Sequence, residues 1–290
     1  MAILRRLLCA CLLSAAVAAA MAEPIVVRYP RAESIDDERG EYGQALLELA
    51  LAKAGGNYRV ELSPTRMQQN RALVELQSGS GRIDIVGTMT SAEREEALLP
   101  VRIPMTRGLI GWRIGLVRAD HKDLLRDVRT VDDLKRYTSA QGHDWPDLQI
   151  LRHSGLKVHP VAVYSGLFGM LNAGRIDWAP RSANEIWAEA ARHPELAIDP
   201  HIVVHYPTAD YFFVNRNNPA LAEAVRTGLE AALADGSFEQ LFYLHYGRLL
   251  RNARFEHRLV INLPNPLLTP QTPLNRKELW FTLDDLKRYP

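Results

Sequence analysis

Three observations predict an α/β fold of two similar lobes, each a mainly parallel sheet wrapped by helices. Apolar runs of strand and helix type alternate from Ile25 to Val86, as in a parallel sheet with helical crossovers. The tetrapeptide Gly81-Arg82-Ile83-Asp84 recurs as Gly174-Arg175-Ile176-Asp177, each copy following a leucine-bearing helical stretch and opening a strand-like run. The chain has 290 residues, 47% of them hydrophobic, enough for two modest lobes.

In order, Ile25–Tyr29 reads as a first strand and Pro30–Gly40 as an acidic loop. Gly43–Ala54 places Leu46, Leu49, Ala50 and Ala54 on one helical face and stops at Gly55-Gly56. Tyr58–Leu62 alternates as a strand, Gln68–Leu76 is a second helix, and Ile83–Val86 is a third strand. Leu109–Val117 is a strand leaving this unit. Val131–Leu134 and Leu148 onward are helical, Val158–Val163 and Ile176–Ala179 are strands, and Leu167–Asn172 and Asn184–Ala191 are helices. Two strands, Ile202–Tyr206 and Tyr211–Val214, precede an amphipathic helix at Pro219–Ala234 and another from Ser237 through Phe242. The last forty or so residues carry Pro264, Pro266, Pro270 and Pro273 and read as an irregular tail, with a short helix near Asp284.

The first 22 residues stand apart. Arg5 and Arg6 precede an apolar run from Leu7 to Ala20, and Ala20-Met21-Ala22 is a small-x-small site. This is the pattern of a secretory signal peptide cleaved after Ala22, and it predicts a periplasmic protein. Both cysteines, Cys9 and Cys11, fall inside it, so the mature chain has no disulfide and no thiolate site. Loss of Arg5 and Arg6 turns the formal charge of +1 into −1, with no basic excess of the kind nucleic acid selects.

The stretch from Gly79 to Pro100 carries the clearest site signal. A short strand runs into the hydroxyl-rich turn Thr88-Met89-Thr90-Ser91, and a new helix carries Arg94 in its first turns. A helix N-terminus offers free N–H groups, and a guanidinium fork suits a carboxylate. The plain alternative is that Thr90 or Ser91 only caps the helix and Arg94 faces solvent. Tyr29, Arg31 and Tyr42, around the loop that leaves the first strand, are further candidate contacts, with a solvated loop as the plain alternative.

The order of elements resembles the type 2 periplasmic solute-binding proteins of the amino-acid-binding kind, from about residue 25 to about residue 247. The residues behind it are Gly81-x-x-Asp84 followed by Ser91-x-x-Arg94, Val131-Asp-Asp-Leu134, Gly174-Arg-Ile-Asp177, and Ala234-Asp-Gly-Ser-Phe238 with Tyr246-Gly247. The resemblance implies a clamshell closing on a small, carboxylate-bearing solute, with Arg94 gripping the carboxylate. It implies that the loop Gly142-His143-Asp144-Trp145 touches the solute from the second lobe. It also implies a partition: residues 1–22 as leader, 23–112 as the first part of lobe 1, 113–205 as lobe 2, 206–250 as the return to lobe 1 and 251–290 as a proline-rich tail. The implied partner is an ABC permease or a membrane sensor, the implied state a monomer, with no cofactor and no metal.

The chain departs from that pattern where an acidic residue usually holds the ligand amino group, because Arg181 and Ser182 stand there instead. A ligand with two anionic ends is the expectation this departure raises. Arg181 could equally pair with Glu185 four residues on. His143 beside Asp144 invites a general-base reading, but no Gly-x-Ser-x-Gly elbow accompanies it; an enzyme on the same fold and a ligand-free accessory protein are the competing functions. His201 and His205 flank a strand-like Ile-Val-Val, where four residues span roughly 13 Å and cannot share one metal ion.

Overall fold

The computed structural model describes residues 23–33, 37 and 39–288. The leader at residues 1–22 and its cleavage site lie outside the described residues.

Strand β1 (Ile25–Arg31) runs parallel to β2 (Tyr58–Arg66), joined by helix α1 (Glu41–Lys53). Leu46, Leu47, Ala50 and Leu51 form the buried face of α1. Helix α2 (Gln69–Ser78) ends at Gly79, whose φ of +65° makes the left-handed stop. β3 (Ile85–Met89), the capped turn of helix α3 (Ala92–Ala97) and the short β4 (Leu99–Val101) follow, the two strands belonging to a sheet separate from that of β1 and β2. The chain then crosses to β5 (Trp112–Arg118), every residue of which except Arg118 is buried.

The second lobe follows with α4 (Val131–Leu134), β6 (Thr138–Gly142), α5 (Pro146–His153), β7 (Lys157–Val161), α6 (Tyr164–Asn172), β8 (Trp178–Ser182), α7 (Ile186–Arg192) and β9 (Leu196–His205). The chain returns through β10 (Asp210–Val214), which pairs antiparallel with both β3 and β4. Helices α8 (Pro219–Ala234) and α9 (Ser237–Ala253) then pack against α1. Gly228 of α8 lies so close to α1 that an added Cβ would sit 1.7 Å from the Ala50 carbonyl oxygen.

Parallel pairing holds where a helix joins the strands, as in β1–β2, β6–β7 and β6–β8. It does not extend to β5 and β10. Each has just crossed between lobes and enters its sheet from the opposite end, so its neighbours run antiparallel.

The repeated tetrapeptide has one structural role in both lobes. Arg28 N–H donates to the Asp84 carboxylate at 2.8 Å and Asp84 N–H to the Arg28 carbonyl at 2.9 Å. Thr138 N–H donates to the Asp177 carboxylate at 2.7 Å and Asp177 N–H to the Thr138 carbonyl at 2.8 Å. Each aspartate clips a new strand to the first strand of its unit.

The tail differs from the irregular segment expected. Helix α9 runs on to Ala253, and Leu259–Asn262 forms β11, parallel to β9 at the edge of the six-stranded sheet β11-β9-β5-β8-β6-β7. Beyond it, Arg276 pairs with Glu230 of α8 at 2.6 Å. Trp280 covers Gly108, and Asp285 of the last short helix, α10 (Asp285–Arg288), reaches Arg107 at 3.5 Å. Among the described residues no helix is long and apolar enough to cross a membrane.

Candidate functional site

A cavity of about 210 Å³ lies between the two lobes. Its first wall comes from the ends of β1 and β3 and the head of β10, carrying Tyr29, Thr88 and Asp210. Its second wall comes from the loop after β6 and the end of β8, carrying Trp145, Arg181 and Glu185. Gly142 closes β6, and a Cβ there would lie 2.5 Å from the Trp145 indole, so glycine lets the ring fold back over the strand end.

Arg94 sits directly behind this cavity. Ser91 caps α3 by accepting from Arg94 N–H at 3.3 Å. The Arg94 guanidinium donates to the Thr88 hydroxyl at 3.0 Å, to the Met89 carbonyl at 2.7 Å and, across the cleft, to the Asp144 carbonyl at 3.0 Å. Among the described residues it has no carboxylate within ion-pair distance. Burial therefore pulls its pKa down, and the nearby charges of Asp144 and Asp147 only partly oppose this. The Asp144 carboxylate meanwhile accepts from Asn70 N–H, at the start of α2, at 3.1 Å. That is where a helix favours an anion.

Arg181 is buried and doubly held, by Glu189 at 2.7 and 2.8 Å and by Glu185 at 2.7 Å. Its guanidinium carbon lies 4.9 Å from the Trp145 ring centroid, and that of Arg39, on the first lobe, lies 4.1 Å from the Tyr164 ring. Tyr164 donates to Glu189 at 2.8 Å. Arg181 thus arrives already neutralised and offers no uncompensated charge to a second ligand anion. A second buried pair, Arg113 with Asp147 at 2.5 Å, stands beside it, and the Tyr206 hydroxyl donates to the same carboxylate.

Asp210 has the opposite character. Its Oδ1 accepts from Thr106 N–H at 3.1 Å and from the Thr106 hydroxyl at 2.8 Å. Burial pushes its pKa up to about 6, those hydrogen bonds opposing it.

No family model matches the chain, and no curated protein matches it. Solved structures do. An ancestral arginine-binding protein bound to arginine superposes with a TM-score of 0.58 at 20% identity, over 76% of this chain and 98% of that one. The substrate-binding protein AbpA of Streptococcus pneumoniae, bound to L-arginine, gives 0.58 at 15% identity, over 78% of this chain and 95% of its own. An ancestral amino-acid-binding protein described as a precursor of cyclohexadienyl dehydratase gives 0.56 at 18%, over 76% and 95%. The fold is that of the two-lobed amino-acid-binding proteins.

Within this binding-protein fold, eight of the residues singled out from sequence line the cavity: Tyr29, Arg31, Tyr42, Thr88, Gly142, Asp144, Trp145 and Arg181. The other five do not. Arg94 lies behind Thr88 and Asp144. Thr90 is buried and donates to Glu95 at 2.6 Å, Ser91 serves the helix cap, and Ser182 bonds Asn184. The half-exposed ring of His143 turns its Nδ1 to the Val161 carbonyl at 3.3 Å and stands 4.0 Å from Asp144. His201 and His205 lie on β9 and hold Asp123 and Asn262.

Sequence reasoning passed over Asp210, Arg39 and the Arg113–Asp147 pair, and took Tyr246 only as part of the family pattern; all of them line the cavity. The signal available for Arg113 was a charged residue inside the apolar run Leu109–Val117. Asp210 stood at the head of the apolar run Tyr211–Val214, where it reads as a turn residue.

Proposed function

We propose that the chain is an exported, periplasmic solute-binding protein that traps a small, carboxylate-bearing solute between its lobes, for uptake or sensing. The observation that carries this reading is the cavity walled from both lobes, because a solute touching both lobes stabilises the closed state over the open one. Arg94 supplies the carboxylate contact. The Asp144 carbonyl holds one of its donors across the cleft; parting of the lobes frees that donor, and an entering carboxylate takes the carbonyl's place. Thr88, Gly142, Trp145 and the Asp144 loop form the rest of the enclosure. The lobe partition, the cleavage after Ala22, the monomeric state and a permease or membrane sensor as partner belong to the same proposal. Arginine is the ligand of two of the similar structures, which makes amino acids and their relatives the first solutes to try. His143, outside the cavity, gives no support to a catalytic reading.

Native mass spectrometry of the mature chain, residues 23–290, tests this. A co-purified small acid that is lost in Arg94→Ala supports the proposal. A protein that carries nothing, and whose melting temperature no metabolite raises, overturns it.

A further inference from the structure

Asp210 is 5% exposed and lines the cavity at the point where the chain crosses back between the lobes. Thr106 satisfies one carboxylate oxygen twice. Among the described residues, the other oxygen accepts nothing from another residue, and no lysine, arginine or histidine comes within ion-pair distance. A buried carboxylate without a cation is unfavourable, and proteins rarely keep one that nothing neutralises.

The charged and titratable groups around it deepen the imbalance. Tyr29 from β1, Tyr42 from α1, Tyr246 from α9 and the adjoining Tyr211 all feel the Asp210 charge, and burial holds every one of these phenols above its ordinary pKa, so they stay neutral. The charge of Glu185, which has the same sign, also acts on Asp210, and Glu185 is already paired with Arg181. Tyr42 is fixed by donating to the Met105 carbonyl at 2.9 Å, and its ring centroid lies 4.7 Å from that of Tyr246. Neutral aromatic walls around an unpaired carboxylate suit an organic cation on both counts.

We infer that Asp210, walled by Tyr29, Tyr42 and Tyr246, is a subsite for a positively charged nitrogen of the solute. The solute is then a zwitterion, its carboxylate on Arg94 and its ammonium or guanidinium on Asp210. This rests on the solute-binding reading above. It places the cation on a hinge strand, not at Ser182. Binding requires the ionised carboxylate, so affinity falls about tenfold for each pH step below about 6.

The test uses the mature chain and a panel of amino acids and guanidino compounds. Each is matched with a counterpart that keeps the carboxylate and loses the positive charge, N-acetyl for amine and ureido for guanidine. Melting shifts and calorimetry are read on wild type and Asp210→Asn. The expected result is at least one zwitterion that binds wild type and weakens a hundredfold or more, both when its charge is removed and in Asp210→Asn. The variant itself melts no lower than wild type. Whether the amine or the guanidine series responds identifies the cation. A solute that binds the variant or its neutral counterpart equally well overturns the cation subsite and leaves solute binding standing. If no compound binds and none co-purifies, both readings fall.

Discussion

Arg94 and Asp144 stand on opposite sides of the cleft and are joined through the backbone, the guanidinium donating to the Asp144 carbonyl at 3.0 Å. The Asp144 side chain meanwhile reaches the start of α2. One residue of the second lobe therefore touches the first lobe twice, at the donors that the proposed function assigns to a carboxylate. Arg94→Ala removes three hydrogen bonds, for a cost of about 1–3 kcal/mol in the unliganded protein. Solute-induced stabilisation should vanish while near-UV circular dichroism stays that of a folded chain. Arg94→Lys keeps the charge but loses the fork and should recover only part of it. Unchanged solute affinity in Arg94→Ala sinks the assignment.

Asp210 gives a pH signature without any solute. Its folded pKa, about 6, lies above that of an unfolded aspartate. The native state therefore binds more protons in that interval, and stability contributed below the unfolded pKa is lost as pH rises through 6. Asp210→Asn removes this loss. Urea denaturation should show the variant more stable than wild type at pH 7.5, by up to about 3 kcal/mol, with the gap closing near pH 4. An equal gap at both values contradicts the buried, uncompensated charge.

Glu189 behaves in the opposite sense. Buried against Arg181, which lowers its pKa, it contributes stability that is present at neutral pH and lost as pH falls through its folded pKa. Glu189→Gln leaves Arg181 with Glu185 alone and should cost about 3–5 kcal/mol at pH 7. Arg181→Met with Glu189→Leu removes both charges and should cost far less, and a thermodynamic cycle over the four proteins measures the difference.

Gly228→Ala probes α1 against α8. The added methyl cannot coexist with the Ala50 carbonyl at 1.7 Å, so the helices must part. A loss above about 3 kcal/mol in chemical denaturation is expected, whereas Gly236→Ala meets nothing within 4 Å and costs only the strain of its φ of +79°.

What the sequence disclosed follows from the range of the interactions involved. Helix faces such as Leu46, Leu47 and Ala50 are local periodicities and were legible. The duplicated Gly-Arg-Ile-Asp was legible too, since each aspartate does the same local job at Arg28 and Thr138. Strand β11 was not, because four residues among prolines have no strand character until β9 supplies the partner. Of the site, Arg94 announced itself through the serine cap three residues earlier. Asp210 became conspicuous only once Tyr29, Tyr42 and Tyr246, scattered over more than two hundred residues, were folded around it.

The C-terminal segment has a mechanical consequence. Two stretches join the lobes along the main chain, from β4 to β5 and from β9 to β10. The tail adds a third, since β11 is sewn to β9 of the second sheet while Arg276 grips Glu230 of α8 and Phe281 N–H donates to the Arg107 carbonyl at 2.7 Å. A jaw on two ribbons swings freely; one with a third strand of rope across its back has a shorter travel. Arg107 anchors that rope from a backbone held at φ +53°, so the first joining stretch and the tail cannot shift independently. On the proposed clamshell motion, the amplitude of opening is then set outside the cleft, by a segment that does not line the cavity.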